Sequence, residues 1–154
     1  MATVKEKTVV TPKMEATCVS HARTDLSTRD VTIHIDEPVA RGGTNLGFTP
    51  TETVVAGLIA CTNVISNRIA ESMDVELQNM DIKCDYDFDP RGAQLKQEVD
   101  LVFIEIRMAI SVNSNGTPEQ IEKIRSDLAK FCPIAKLFTQ AGGKIIDTWD
   151  VSPL

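Results

Sequence analysis

Three observations in the sequence predict an α+β fold in which helices pack on an antiparallel sheet. Apolar residues alternate with polar ones in separate segments, most clearly over residues 79–89, as in strands that bury one face. Two segments, beginning at Thr49 and Thr117, carry signals for helix N-termini. The strands lack the regular alternation with helices that is typical of a parallel sheet. We expect residues 1–154 to form one domain, because this length suffices to bury about two-thirds of the unfolded surface.

Charge and composition narrow the classes of partner. The formal net charge is −6, and no two Lys or Arg residues are adjacent, so neither nucleic acid nor an anionic membrane surface is an expected partner. The N-terminal segment MATVKEKTVV lacks the apolar region of a secretion signal, and no uninterrupted apolar run approaches the ~20 residues of a membrane span. A soluble cytoplasmic protein is the expectation.

The cysteines favour thiol chemistry over a disulfide framework or a metal site. None of the four has CxxC spacing, and the chain shows no secretion signal, which favours free or redox-active thiols. The chain has only two histidines and no cluster of potential ligands, so we expect no metal and no other cofactor. The residues concerned are Cys18, Cys61, Cys84, Cys132, His21 and His34.

The N-terminal third predicts strands and a loop. Residues 4–21 carry a weak strand signal, in which Cys18 is most simply a small core residue. Residues 24–27 are typical of a turn. The segment VTIHIDEP, residues 31–38, predicts a half-buried antiparallel strand that its proline ends. Residues 39–49 lack the spacing of a phosphate-binding loop and are expected to be a connector.

Residues 47–73 form the longest helical signal in the chain. Thr49 fits the N-cap, Pro50 the first helical position and Glu52 the reciprocal position of a capping box. The run VVAGLIAC carries no charge, so we expect this part of the helix to be buried on most of its circumference. Cys61 ends that run.

Two strands are predicted in the second half. NMDIKCDYDFD alternates strictly, and its aspartates point outward as a solvated face rather than as a calcium loop, because the glycine and closing glutamate of such a loop are missing. Residues 90–100 are a loop. LVFIEIRMAISV then predicts a strand with its apolar residues from Val102 to Val112 inward, so the two strands form a hairpin or lie side by side.

A pair of helices and a last strand complete the chain. Thr117 and Gln120 form a second capping box, and the helix should end at Cys132 because Pro133 disfavours a helical residue before it. Pro133 can open a new helix, which the glycines after residue 141 would end. Cys132 then occupies an N-cap, where the partial positive charge favours a thiolate. KIIDTWDV predicts the final strand.

Either cysteine alone also has an inert interpretation. Cysteine is among the most buried residue types and behaves as a small hydrophobe, so a core role for Cys61 is the simpler interpretation. Cys132 has a stronger case for reactivity, because the Cys-Pro at a helix start supplies a mechanism for lowering the pKa of a thiol.

The stretch DEPVARGGTNLGFTPTETVVAGLIACT, with FCPIAKLF far downstream, resembles the OsmC/Ohr family of peroxide-reducing proteins. The resemblance covers essentially the whole chain. It implies an OsmC-like fold, an intertwined homodimer with active sites at the subunit interface, a peroxide substrate, a dithiol reductant and no cofactor. By the same resemblance Cys61 matches the peroxidatic cysteine and Cys132 the resolving one.

The resemblance is incomplete at the charged residues. Hydroperoxide-specific members place a glutamate directly after the proline, whereas Thr51 stands there and Glu52 follows, as in a Pro-x-Glu branch. Glu52 is therefore either a catalytic residue or only a capping-box partner. Burial raises a thiol pKa, so a cation must offset it, and the family uses an arginine. Arg23 and Arg29 are preferred over Arg41 for that role.

Three functions remain open from sequence. The first is a thiol peroxidase that acts through Cys61 and Cys132. The second is an OsmC-fold stress-related or small-molecule-binding protein with little peroxidase activity. The third is a structural homodimer whose cysteines are inert. The loops at residues 38–49 and 90–100 are the expected determinants of substrate choice.

Overall fold

The computed structural model describes residues 8–154, so residues 4–7 of the first predicted strand signal lie outside the described part. Contacts divide the chain into two compact units, residues 1–55 and 56–154, and each is described by itself. The described elements are three α-helices, a short 3-10 helix and two three-stranded sheets, which confirms the α+β class. The single-domain organisation stays a prediction.

The first unit contains an antiparallel sheet of strands β1 (Glu15–Cys18), β2 (Thr24–Thr28) and β3 (Val31–Ile35). The predicted turn at residues 24–27 is wrong, because those residues form β2. The chain turns just before them, where the Ser20 hydroxyl accepts the N–H groups of Ala22 and Arg23. It turns again at Arg29, whose φ of 55° is left-handed. The prediction failed because residues 24–27 are mostly small and polar, as turn residues often are, although they form a strand.

This sheet is more exposed than its alternation predicts. Cys18 lies on the edge strand β1 and is exposed, so its predicted place in the core is wrong. In β3, Val31 and Ile33 are 45% and 50% exposed, and only Ile35 is buried. Alternation shows which side chains share a face, but it does not supply the surface that covers them.

A buried carboxylate organises the loop after β3. Asp36 is 0% exposed and accepts hydrogen bonds from the N–H groups of Glu37, Thr44 and Leu46 and from the Thr44 hydroxyl. The Thr44 hydroxyl is the largest cause that lowers the pKa of Asp36, to about 2. The loop includes the 3-10 helix Val39–Arg41 and returns to pair Phe48 with Ile35. Asp36 therefore fixes the conformation of this connector, although the sequence pattern placed it only at the end of a strand.

Helix α1 (Pro50–Glu71) begins where the sequence predicts. The Thr49 N–H donates to the Glu52 carboxylate at 2.8 Å, and the Glu52 N–H donates to the Thr49 hydroxyl at 3.3 Å. Both hydrogen bonds of a capping box are therefore present. Glu52 is the acidic residue of the first turn, where it also complements the helix dipole.

The apolar run of α1 is only partly buried, contrary to the expectation of burial on most of its circumference. Val55 and Leu58 are 3% and 0% exposed, whereas Val54 and Val64 are each 45% exposed. Within the described residues, α1 alone is long and apolar enough to cross a membrane, a criterion that core helices of soluble proteins also meet. The helix therefore carries a buried stripe and an exposed apolar stripe.

The second unit contains the sheet of β4 (Leu77–Phe88), β5 (Phe103–Ser114) and β6 (Lys144–Pro153). Strands β4 and β5 are antiparallel neighbours, as predicted. Strands β5 and β6 are parallel, so the expectation of an entirely antiparallel sheet is wrong for this pair. Two helices connect β5 to β6, and such a crossover carries the chain back to the end of the sheet at which β5 began.

Helices α2 (Pro118–Phe131) and α3 (Pro133–Gln140) form this crossover. The Thr117 hydroxyl accepts the Gln120 N–H, and the Gln120 side chain accepts the Thr117 N–H, so the second capping box is also confirmed. Apolar residues of α2 and α1 share one buried cluster with Val75. Its members are Ile69, Ala70, Val75, Ile121 and Ile124.

Replacing Thr117 by alanine should lower the free energy of unfolding by about 1 kcal/mol, because the first turn of α2 loses its side-chain cap. Thr117→Ser is the matched control, since serine keeps the hydroxyl. Urea denaturation measures both. A Thr117→Ala variant within about 0.5 kcal/mol of the parent, the range of ordinary surface substitutions, would show that the cap does not stabilise the fold.

Candidate redox site

Cys61 on α1 and Cys132 between α2 and α3 meet in the second unit. Their sulfur atoms are 2.9 Å apart, although 71 positions separate the two residues in sequence. A disulfide would place them about 2.0 Å apart, and both cysteines are free. The site is therefore a reduced dithiol joined by a thiol–thiol hydrogen bond.

The Cys132–Pro133 step fixes the position of the second sulfur. Cys132 has extended dihedrals, φ −72° and ψ 112°, and its N–H donates to Leu128 O as α2 ends. Pro133 then begins α3, and the Ala135 N–H donates to the Cys132 sulfur at 3.3 Å. The predicted N-cap role of Cys132 is thus confirmed. Its sulfur accepts one of the N–H groups that the first turn of a helix leaves unpaired.

The two thiols differ in access to solvent. Cys132 is 0% exposed, whereas Cys61 is partly exposed. A small electrophile can therefore reach Cys61 from solvent, but it meets Cys132 only after the structure opens. This difference agrees with a first reaction at Cys61 and a second one at Cys132.

Burial and the neighbouring thiol both disfavour a negative charge on Cys61. Burial is the largest cause that raises the pKa of Cys61, and the hydrogen bond with Cys132 is the second, so the pKa rises to about 11. The backbone N–H of Ile134 and the charge of Arg68 act in the opposite direction and are weaker. Cys61 therefore keeps its proton at neutral pH in this chain alone.

The predicted cations belong to the first unit. Arg23 forms a two-pronged ion pair with Asp25, which also contacts His34. Arg29 is exposed at the turn between β2 and β3, and Arg41 pairs with Glu37. The activation of Cys61 by Arg23 or Arg29 stays a prediction.

Glu52 also belongs to the first unit. Its carboxylate accepts the Thr49 N–H, so the capping interpretation has a direct observation behind it. Its catalytic interpretation stays a prediction. The structure therefore brings together Cys61 and Cys132 and leaves the roles of the charged candidates open.

The main groups that sequence reasoning missed are backbone donors. The N–H groups of Ile134 and Ala135 act on Cys61 and Cys132 respectively. The Cys-Pro dipeptide at a helix start was the available signal for the second contact. No signal in the sequence indicated the first, because it requires α1 to lie against the start of α3.

Removing the Cys132 thiol should lower the pKa of Cys61 from about 11 toward 9.0, the ordinary value, without reaching it. The reason is that one cause of the rise disappears while burial remains. The measurement is the thiolate absorbance of Cys132→Ala in a background where Cys18 and Cys84 are serine. Arg68→Gln is the matched comparison and should raise the pKa of Cys61. An unchanged pKa in Cys132→Ala would contradict the coupling of the two thiols.

Comparisons with known proteins show which fold and which family the chain shares. Solved structures with similar folds include an OsmC-like protein from Mycoplasma pneumoniae, with a TM-score of 0.75, 15% identity and coverage of 92% of this chain and 97% of the other. A second is a putative osmotic stress induced and detoxification response protein from Psychrobacter arcticus, with a TM-score of 0.71, 18% identity and coverage of 94% and 98%.

The organic hydroperoxide resistance protein OhrB of Bacillus subtilis also matches, with a TM-score of 0.58, 18% identity and coverage of 93% and 98%. At these identities the matches establish the fold, which is OsmC-like as predicted. No curated protein sequence matches the chain significantly. The family model described as OsmC-like protein matches residues 43–145, which is more than half of the chain. The chain therefore belongs to the OsmC-like protein family.

Proposed function

We propose that the protein is a thiol-dependent peroxidase that reduces organic hydroperoxides or hydrogen peroxide. The observation that carries the proposal is the 2.9 Å contact between the sulfurs of Cys61 and Cys132, one partly exposed and the other buried. Two thiols at this distance can pass from dithiol to disulfide with little movement. Membership in the OsmC-like family and the fold shared with organic hydroperoxide resistance proteins support the same chemistry.

The proposed reaction follows the oxidation ladder of cysteine. The Cys61 thiolate attacks the terminal peroxide oxygen, the O–O bond breaks, and Cys61 becomes a sulfenic acid while an alkoxide or hydroxide leaves and takes a proton. The Cys132 sulfur then attacks the Cys61 sulfur and displaces hydroxide, which leaves as water after protonation. A dithiol reductant restores both thiols by exchange. Each turnover reduces one peroxide and oxidises one equivalent of dithiol.

Activation of Cys61 is the demanding step, because its pKa is raised to about 11 in this chain. In the proposed enzyme Arg23 or Arg29 supplies the positive charge, and Glu52 holds it. The protein acts as a homodimer in the cytoplasm, an arrangement that supplies residues from both chains to each site.

The raised pKa of Cys61 favours a second candidate. A thiol that keeps its proton is a poor nucleophile, so the chain can instead be an OsmC-fold stress-related or small-molecule-binding protein with little peroxidase activity. In that case mild peroxide leaves the two thiols reduced. A loss of two hydrogens in the intact mass after one equivalent of peroxide distinguishes the peroxidase from this alternative.

Cys61→Ser should abolish peroxide consumption, and Cys132→Ser should allow one turnover followed by over-oxidation of Cys61. The reason is that the first variant lacks the nucleophile and the second lacks the resolving thiol. Peroxide consumption coupled to a dithiol, together with intact mass, measures both effects. Cys84→Ser is the control, because Cys84 lies on β4 away from the dithiol in sequence and should keep full activity. Sustained turnover by Cys61→Ser would rule out the proposal.

Glu52→Gln should separate the two roles of Glu52. Glutamine still accepts the Thr49 N–H in a capping box, so the free energy of unfolding should change little. If the carboxylate also holds the activating arginine, the first turnover should slow by about a hundredfold, the cost of a misplaced catalytic group. Single-turnover kinetics and urea denaturation measure the two effects. A variant with the parental rate would leave Glu52 as a cap alone.

A further inference from the structure

The thiol–thiol contact provides an acceptor for the Cys61 proton. In the second unit, the Cys61 sulfur makes its side-chain hydrogen bond with Cys132. The Cys132 thiol donates in this contact, and because a thiol both donates and accepts, reversal of the hydrogen bond makes Cys61 the donor. The charged or titratable groups that act on Cys61 in this unit are Cys132 and Arg68, and Arg68 lies two turns further along α1.

Backbone N–H groups at the start of α3 act on both sulfurs, where they favour a negative charge. The Ala135 N–H donates to the Cys132 sulfur, and the Ile134 N–H acts on the Cys61 sulfur. These are neighbouring N–H groups of the first turn, which is the positive end of the helix dipole. One negative charge shared by the pair is therefore stabilised whichever sulfur holds it.

We propose that Cys132 is an acid–base residue for the first step as well as the resolving thiol. It takes the proton of Cys61 as Cys61 attacks. This role rests on the proposed peroxidase function and deepens it. It is independent of which arginine acts, because every group involved lies within residues 56–154.

The atoms balance with peroxide, solvent water and a dithiol that has released one proton to solvent. Cys132, as the thiolate, accepts the proton of Cys61, and the Cys61 sulfur bonds to the terminal oxygen of ROOH while the O–O bond breaks. The leaving RO⁻ takes a proton from water, which gives ROH, hydroxide and a Cys61 sulfenic acid beside the Cys132 thiol. The hydroxide takes the Cys132 proton, and the Cys132 sulfur attacks the Cys61 sulfur, forms the disulfide and displaces hydroxide.

Burial makes Cys132 suited to this role and unsuited to direct attack. Its exposed fraction is 0%, so a thiolate there is shielded from peroxide in solution while it remains in contact with the Cys61 proton. The partly exposed Cys61 is reachable but lacks the stabilisation of an N-cap position. Cys61 is thus the sulfur that peroxide can reach, and Cys132 is the sulfur at the helix N-cap. The proton in their hydrogen bond connects the two.

The test measures the first step alone. In a background with Cys18→Ser and Cys84→Ser, the reduced parent, Cys132→Ser and Cys132→Ala are mixed with tert-butyl hydroperoxide, and the Cys61 sulfenic acid is trapped and quantified at short times. Loss of an acid–base residue should slow this step by about a hundredfold at neutral pH. The variants should also differ from the parent in pH profile, because their first step depends on solvent for removal of the Cys61 proton.

The outcomes separate the two proposals. Equal first-step rates and pH profiles in the parent and the Cys132 variants would overturn the acid–base role and leave a purely resolving thiol in an active peroxidase. A parent that forms no Cys61 sulfenic acid or disulfide would overturn the peroxidase itself. Circular dichroism checks that each variant is folded. If neither variant folds, the solvent deuterium isotope effect on the parental first step decides, because a rate that is equal in H₂O and D₂O contradicts proton transfer in that step.

Discussion

The Cys132–Pro133 step is the constraint on which the candidate site depends. Pro133 disfavours a helical conformation for the residue before it, and α2 ends at Phe131 with Cys132 in an extended conformation. The same proline has the fixed φ that suits the first position of α3. One residue therefore ends one helix, begins another and leaves a cysteine between them as the cap of the second. Without this break the sulfur would lie inside a continuous helix, with no free N–H group to accept.

The surroundings of Cys61 and Cys132 have two opposite effects on the reactivity of these thiols. Partial burial of Cys61 raises its pKa, and the same burial strengthens the hydrogen bonds and charges that act on the two sulfurs. A nearby cation lowers the free-energy cost of forming the Cys61 thiolate whatever the redox state of Cys132. Proton transfer to Cys132 lowers that cost only while Cys132 is reduced. The two means of activation are therefore distinct, and among the residues that follow Val55 the proposed proton transfer acts beside the weaker effect of the Arg68 charge.

Local signals in the sequence predicted the helix starts and the N-cap of α3, because a capping box or a proline acts within four residues. The β4 pattern was equally predictable, since its alternation alone defines two faces. Features that depend on distant residues were not. The segment of β2 has turn-like composition and is a strand only because β1 and β3 pair with it. The parallel pairing of β6 likewise depends on the whole crossover between residues 114 and 144.

The site shows the same division between local and distant effects. The cap position of Cys132 follows from two adjacent residues, whereas the approach of Cys61 requires α1 to pack against the start of α3. The pairing of these thiols was available only through resemblance to a family. The exposed apolar residues Val31, Ile33 and Val54 were expected to be buried, because alternation and hydrophobicity indicate a face but not its partner.

The cap of α3 also bears on the last step of the proposed cycle. A reductant must attack one sulfur of the disulfide and displace the other, and the partly exposed Cys61 is the accessible target. Attack there makes Cys132 the leaving group, and a better stabilised leaving thiolate departs faster. The Ala135 N–H stabilises that thiolate as it forms. The same backbone donor therefore favours the charged form of Cys132 both when it attacks as the resolving nucleophile and when it departs as the leaving group, so one Cys-Pro step serves two stages of the proposed cycle.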